Sequence, residues 1–187
     1  MARIYIVRHG KAQGNWGEER DPGVDQTGLE QARAAARLLA PLGPLKILSS
    51  PYARTLETAA PLAEIWKVTP LMEKRIGEIP TPFEDLGERL EWLKRVVEMK
   101  WEDLDQNLKT WRIGVIEAIS EFKEDSVLFS HSIAINAIVG EANKDDRVVC
   151  FWPENGSITT IDVNESGLRL VRHGMEDTNR GWKNIRV

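Results

Sequence analysis

The chain predicts an α/β fold, a three-layer α/β/α sandwich around a mostly parallel sheet. Three observations point there. Short apolar, β-branched runs at residues 4–7, 45–48 and 126–129 alternate with segments of helical periodicity. Each of those runs stops abruptly in polar residues, as buried strands do where they meet a loop. The composition, 42% hydrophobic and 29% charged over 187 residues, is that of one globular domain able to bury a core without a disulfide or metal staple.

The elements follow in order. Residues 4–7 form the first strand, ended by Arg8-His9-Gly10, and the polar, Gly-rich residues 10–26 form a long loop. Thr27-Gly28-Leu29-Glu30 fits a capping box opening a helix over 27–40, with Ala32, Ala35, Ala36 and Leu39 as its narrow apolar face. After the strand at 45–48, Ser50 is placed to cap a helix with Pro51 at its first position. That helix runs to Trp66, and Pro61 predicts a kink or break in it. Residues 70–83 carry Pro70, Pro80 and Pro82 and read as irregular. Apolar residues three and four apart across 84–123 predict a mainly helical insertion of two helices, whose tryptophans read as packing. A strand at 126–129 ends in Ser130-His131-Ser132, followed by a short apolar helix to residue 140. Residues 148–152, 158–163 and 168–172 read as late strands, the last two joined by a turn at 164–167. With no repeat, linker or low-complexity tract, residues 1–187 are expected to form a single domain.

A formal charge of −4 argues against the broad basic surface of a nucleic-acid binder, so no nucleic-acid partner is expected. No apolar stretch approaches the length that spans a bilayer, and the first apolar run is too short for a signal-peptide core. The expectation is a cytoplasmic protein with no membrane partner. Cys150, the single cysteine, reads as a small buried apolar residue. A Trp-rich helical face would suit a homodimer.

The chemistry gathers where strands end. Arg8-His9 follows the first strand, Ser49-Ser50 and Arg54 the second, and His131 the third. Ligands in open α/β sheets bind at the carboxyl ends of strands, so two imidazoles and two guanidiniums can converge there. Two arginines suit a dianionic tetrahedral group, and a histidine beside them stays neutral and nucleophilic because like charges disfavour its imidazolium. The three histidines show no metal-ligand spacing, and no Asp-rich metal motif appears.

Ile4-Tyr5-Ile6-Val7-Arg8-His9-Gly10 resembles the N-terminal signature of the histidine phosphatase superfamily, the phosphoglycerate mutase-like family. The resemblance continues through Asn15, residues 25–32, residues 49–59 and Phe129-Ser130-His131-Ser132. It implies a metal-independent phosphatase, with no cofactor, that hydrolyses small phosphorylated substrates through a phosphohistidine on His9. Arg8, Arg54 and His131 would form the phosphate pocket, and Asn15 would help hold phosphate or substrate. The general acid falls to Glu73, by alignment of residues 71–77 with the family's acid segment, or to Glu78, which borders the Pro-rich loop. Glu73 is slightly preferred. The alternatives are a phosphoglycerate-type phosphomutase and a non-catalytic member that binds phosphorylated ligands. Lys11 is expected to be solvated, Ser132 to cap the following helix, and His173, in a second Arg-His-Gly, to be a surface histidine outside the site.

Overall fold

The computed structural model describes residues 1–14 and 18–177. Asn15 and Trp16 lie outside the described residues. The elements are β1 (Ala2–Arg8), α1 (Gln26–Leu39), β2 (Lys46–Ser49), α2 (Ala53–Trp66), β3 (Leu71–Met72), α3 (Leu86–Val96), α4 (Gln106–Ser120), β4 (Ser126–Ser130), α5 (Ser132–Asn143), β5 (Ile158–Asn164) and β6 (Gly167–Arg172). The sheet runs β3-β2-β4-β1-β5-β6. Pairs β3-β2, β2-β4 and β4-β1 are parallel, and β5 and β6 complete the other edge antiparallel.

Alternation along the inner strands sorts the core into two apolar clusters. Ile4 and Ile6 of β1 and Leu128 of β4 pack with residues of α3, α4 and α5 on one face. Val7, Val127 and Phe129 pack with Ala35, Ala36, Leu39, Ala59 and Leu62 of α1 and α2 on the other. This is the three-layer sandwich. Trp92 and Trp101 belong to the first cluster, Trp101 stacked on Trp111 at 6.0 Å, so those tryptophans are core. The 84–123 segment forms α3 and α4, capped by Asp85 and Asp105, with a 3-10 turn at Trp101–Asp103 between them. Among the described residues no helix is long and apolar enough to cross a membrane.

Several local expectations are corrected. Asp25, not Thr27, caps α1, accepting from the Gly28 N–H at 2.8 Å. Helix α2 begins at Ala53, because the Ser50 side chain is engaged elsewhere, and it runs unbroken through Pro61. Leu71–Met72 adds a short edge strand to β2 where irregular chain was expected. Residues 148–152 form no strand. The N–H groups of Cys150 and Phe151 donate to Asn136 Oδ1 on α5, at 2.8 and 3.1 Å, so a side chain takes the bonds that a ladder would have used. Ser132 is the first residue of α5 and makes no cap hydrogen bond; its hydroxyl is buried without a partner among the described residues.

Candidate active site

The parallel strands β1, β2 and β4 all end at one edge of the sheet, and each delivers part of the site. The first turn beyond β1 is held on both sides. His9 N–H donates to the Ser130 carbonyl at the end of β4, and Asn155 Nδ2 donates to the His9 carbonyl. Gly10 is required by a close approach: a Cβ there would sit 2.5 Å from the Gly28 carbonyl oxygen. Its N–H is received by Thr58 Oγ1 of α2. Lys11 is paired with Asp25 at 2.5 Å rather than simply solvated.

His9 is 1% exposed, and its Nδ1 lies 2.8 Å from the Gly10 carbonyl. A carbonyl only accepts, so Nδ1 carries the proton and the Nε2 lone pair is left. Nε2 is buried with no hydrogen-bond partner among the described residues. Burial, then the nearby Arg54, His131 and Arg8, push the His9 pKa well below the usual histidine value, so the ring is neutral at pH 7.

His131 is fully buried, its ring centroid 5.3 Å from that of His9. Its Nε2 is 2.8 Å from Ser50 Oγ, which is 2.7 Å from Thr55 Oγ1, which is in turn 2.7 Å from the Tyr52 carbonyl. That last carbonyl sets the direction of the chain. Thr55 donates to it, Ser50 donates to Thr55, and His131 donates from Nε2 to Ser50. The Nδ1 of His131 then faces Glu78, 3.4 Å from Oε2 and out of line for a hydrogen bond. Burial is the largest influence on His131 and lowers its pKa, with Glu78 opposing.

Glu78 sits among the cations. Oε2 is 3.3 Å from Arg54 Nη2, and Oε1 accepts from the Ile79 N–H. Burial alone would raise its pKa, but the positive charge around it, with Arg54 in direct contact, outweighs burial and holds the carboxyl well below the usual range. Glu73 is not there. It caps the 3-10 turn at Lys74–Ile76, accepts from the Arg75 backbone and pairs with the Arg75 guanidinium at 2.8 Å, and that arginine also grips Glu121. The structure therefore separates the two candidates for general acid: Glu78 lies in the cluster, and Glu73 is committed to a partly exposed ion-pair network.

Arg8 and Arg54 are both buried. Arg8 donates to the Pro153 carbonyl at 2.7 Å, and burial pulls its pKa down to about 10, still charged at neutral pH. Arg54 lies over the Tyr52 ring at 4.8 Å, and Tyr52 meets His131 edge-on at 5.1 Å. Asp21 approaches Arg54 Nη1 at 3.6 Å. Helix α3 adds a buried arginine, Arg89, whose charge interacts with Tyr52, Glu78 and Arg54.

The structure thus brings together Arg8, His9, Arg54, Glu78 and His131. Asn15 is outside the described residues. His173 is exposed beyond the edge strand β6, its ring against Phe151 at 4.7 Å. Sequence reasoning missed Ser50 and Thr55 as the partners of His131, and Tyr52 as the ring between His131 and Arg54. Their closeness to Arg54 in sequence, at the junction between β2 and α2, was the available signal.

Comparison with known proteins identifies the family and the fold. The family profile described as the histidine phosphatase superfamily (branch 1) matches residues 4–176. A PE-PGRS family protein, PE_PGRS11 of Mycobacterium tuberculosis, is 40% identical over 90 residues, 44% of this chain and only 15% of that protein. A probable phosphoglycerate mutase, GpmB of Photorhabdus laumondii, is 26% identical over 160 residues, covering 75% of this chain and 74% of the relative. A glucosyl-3-phosphoglycerate phosphatase of Mycolicibacterium vanbaalenii is 39% identical over 68 residues, 34% of this chain and 30% of the relative. Among solved structures, phosphoserine phosphatase of Entamoeba histolytica in complex with 3-phosphoglyceric acid superposes with a TM-score of 0.76 at 19% identity, covering 95% of this chain and 98% of that one. At that identity the likeness is one of fold.

Proposed function

The chain belongs to the histidine phosphatase superfamily, branch 1, and we propose that it hydrolyses phosphomonoesters through a phosphohistidine on His9. The observation that carries this reading is the buried His9 ring, neutral and tautomerically fixed with its Nε2 lone pair unpartnered among the described residues, beside two arginines, a second histidine and a carboxylate.

The phosphoryl group lies between Arg8 and Arg54, whose guanidiniums match its oxygens and oppose the charge that spreads over them during transfer. His9 Nε2 attacks phosphorus in line with the ester oxygen, the P–O bond breaks, and Glu78 delivers a proton to the leaving oxygen. A bound dianion works against the arginines that hold Glu78 ionised and raises its pKa toward the protonated form this step needs. Water then attacks phosphorus, Glu78 takes one of its protons, and the P–N bond breaks to give phosphate and neutral His9. His131, donating from Nε2 into Ser50, keeps Nδ1 directed at Glu78. No step requires a metal.

The test is turnover of p-nitrophenyl phosphate and a panel of phosphorylated metabolites in EDTA, beside His9→Ala. Metal-independent hydrolysis that His9→Ala abolishes while the fold survives is the expected result; equal activity in that variant overturns it. The likeness to the probable mutase from P. laumondii favours phosphomutase activity as the second reading. Isomerised esters in the same panel would establish that reading instead.

A further inference from the structure

We propose that His9, Glu78 and His131 form a three-ligand trap for one borderline-soft divalent cation of the Zn2+ type, and that the bound ion shuts the phosphoryl site. The proposal shares its side chains with the reaction above and does not depend on that reaction.

The three residues are far apart in sequence and show no ligand spacing there; the fold alone assembles them. One ligand atom from each lies within 4.8 Å of the others, and all three side chains are buried. Glu78 Oε2 and His131 Nδ1 are 3.4 Å apart. Two ligands about 2.1 Å from a tetrahedral zinc ion are separated by about 3.4 Å, so this pair already spans one edge of such a site.

The hydrogen-bond network points the same way. Metal-bound histidines donate their other ring N–H to a carbonyl, carboxylate or similar acceptor, which fixes the tautomer and turns the lone pair to the metal. Both histidines have this arrangement: His9 Nδ1–H goes to the Gly10 carbonyl, and His131 Nε2–H goes to Ser50 Oγ. The remaining nitrogens, His9 Nε2 and His131 Nδ1, are both buried and without a hydrogen-bond partner among the described residues. Two imidazole nitrogens and one carboxylate oxygen form the ligand set of many three-ligand zinc centres.

Arg8 and Arg54 oppose a dication, and Asp21 offsets part of that charge at 3.6 Å from Arg54. An anionic fourth ligand, hydroxide or phosphate, offsets the rest and is itself gripped by the guanidiniums. The consequence for catalysis is direct. A cation on His9 Nε2 consumes the lone pair that would attack phosphorus, and one on Glu78 consumes the carboxylate that would carry the proton.

The test uses the full chain, stripped with EDTA and desalted, titrated with Co2+ and followed by visible absorbance. One Co2+ per chain with the intense bands of a four-coordinate centre is expected, displaced one-to-one by Zn2+. Turnover of p-nitrophenyl phosphate falls in parallel with Zn2+ occupancy and returns on adding EDTA. His131→Asn and Glu78→Gln should each weaken Co2+ binding by about tenfold or more. His173→Ala and Cys150→Ser should leave spectrum and stoichiometry unchanged. Loss of the bands in either control, or their persistence in both ligand variants, overturns the proposal, as does the absence of four-coordinate bands in the parent protein. The parent spectrum and its displacement by Zn2+ decide the matter even if a ligand variant fails to fold. Ion binding with no turnover of any phosphomonoester leaves the trap standing and removes the phosphatase reading. Turnover indifferent to Zn2+ removes the trap and leaves the phosphatase.

Discussion

Two carboxylates five residues apart in sequence have opposite surroundings. Glu78 is walled in by Arg54 and His131, and Glu73 shares Arg75 with Glu121 at a partly exposed corner. Under the proposed mechanism Glu78→Gln removes the proton carrier, and kcat should fall by about a hundredfold or more. Glu73→Gln should leave kcat within about twofold and cost about 1 kcal/mol of stability or less, because a partly exposed ion pair contributes little. Steady-state kinetics and urea unfolding on the two variants check both statements. Arg8, His9, Arg54 and His131 were legible in the sequence because each sits at or just beyond a strand end, where topology forces convergence. The choice between Glu73 and Glu78 was not, because the Pro-rich stretch between β3 and α3 has no period from which side-chain direction can be read. What distinguishes the two is their neighbours, Arg54 from α2 and Arg75 in the 3-10 turn, and these are set by tertiary packing.

At the scale of elements, side chains repeatedly replace backbone partners, and this accounts for most of the local corrections. Asn136 is the clearest case. From the buried face of α5 its carbonyl oxygen receives two backbone N–H groups, while its amide donates to the Ser132 carbonyl one turn back. Asn136→Ala leaves the Cys150 and Phe151 donors without their acceptor and should cost about 2–4 kcal/mol, read as a lower urea midpoint at unchanged m-value. The β-branched, aromatic character of residues 148–152 predicted a strand, because propensity reports on side chains suited to a pleated surface and carries nothing about a competing acceptor twelve or more residues away. The same competition moved the start of α2. Ser50 has the right chemistry to cap it, but its hydroxyl is occupied by His131 and Thr55, so the helix opens at Ala53.

For the whole molecule, burial of both site histidines ties stability to pH. His9 and His131 have pKa values below the unfolded histidine value of about 6.5. Between those values the unfolded chain takes up protons that the native chain refuses, so stability falls as pH drops below about 6.5 and is restored as pH rises. Each histidine contributes up to about 1.4 kcal/mol per pH unit within that window. Thermal melts should show Tm decreasing from pH 7 to pH 5, with a shallower decrease in His9→Asn. An equal slope in that variant would mean that His9 titrates alike in both states. The layered architecture, the parallel inner strands and the edge hairpin were all legible from alternating periodicities, since helices on both faces follow once parallel strands must be connected.

The clasp around the end of β1 also orders events in time. Arg8 is held by the carbonyl of Pro153, and the His9 carbonyl by Asn155, across sequence separations of 145 and 146 residues. On the ribosome His9 therefore emerges well before the residues that clasp it. The nascent chain thus carries the His9 ring without its clasp until residues 153–155 have left the exit tunnel, long after β1 itself has been made.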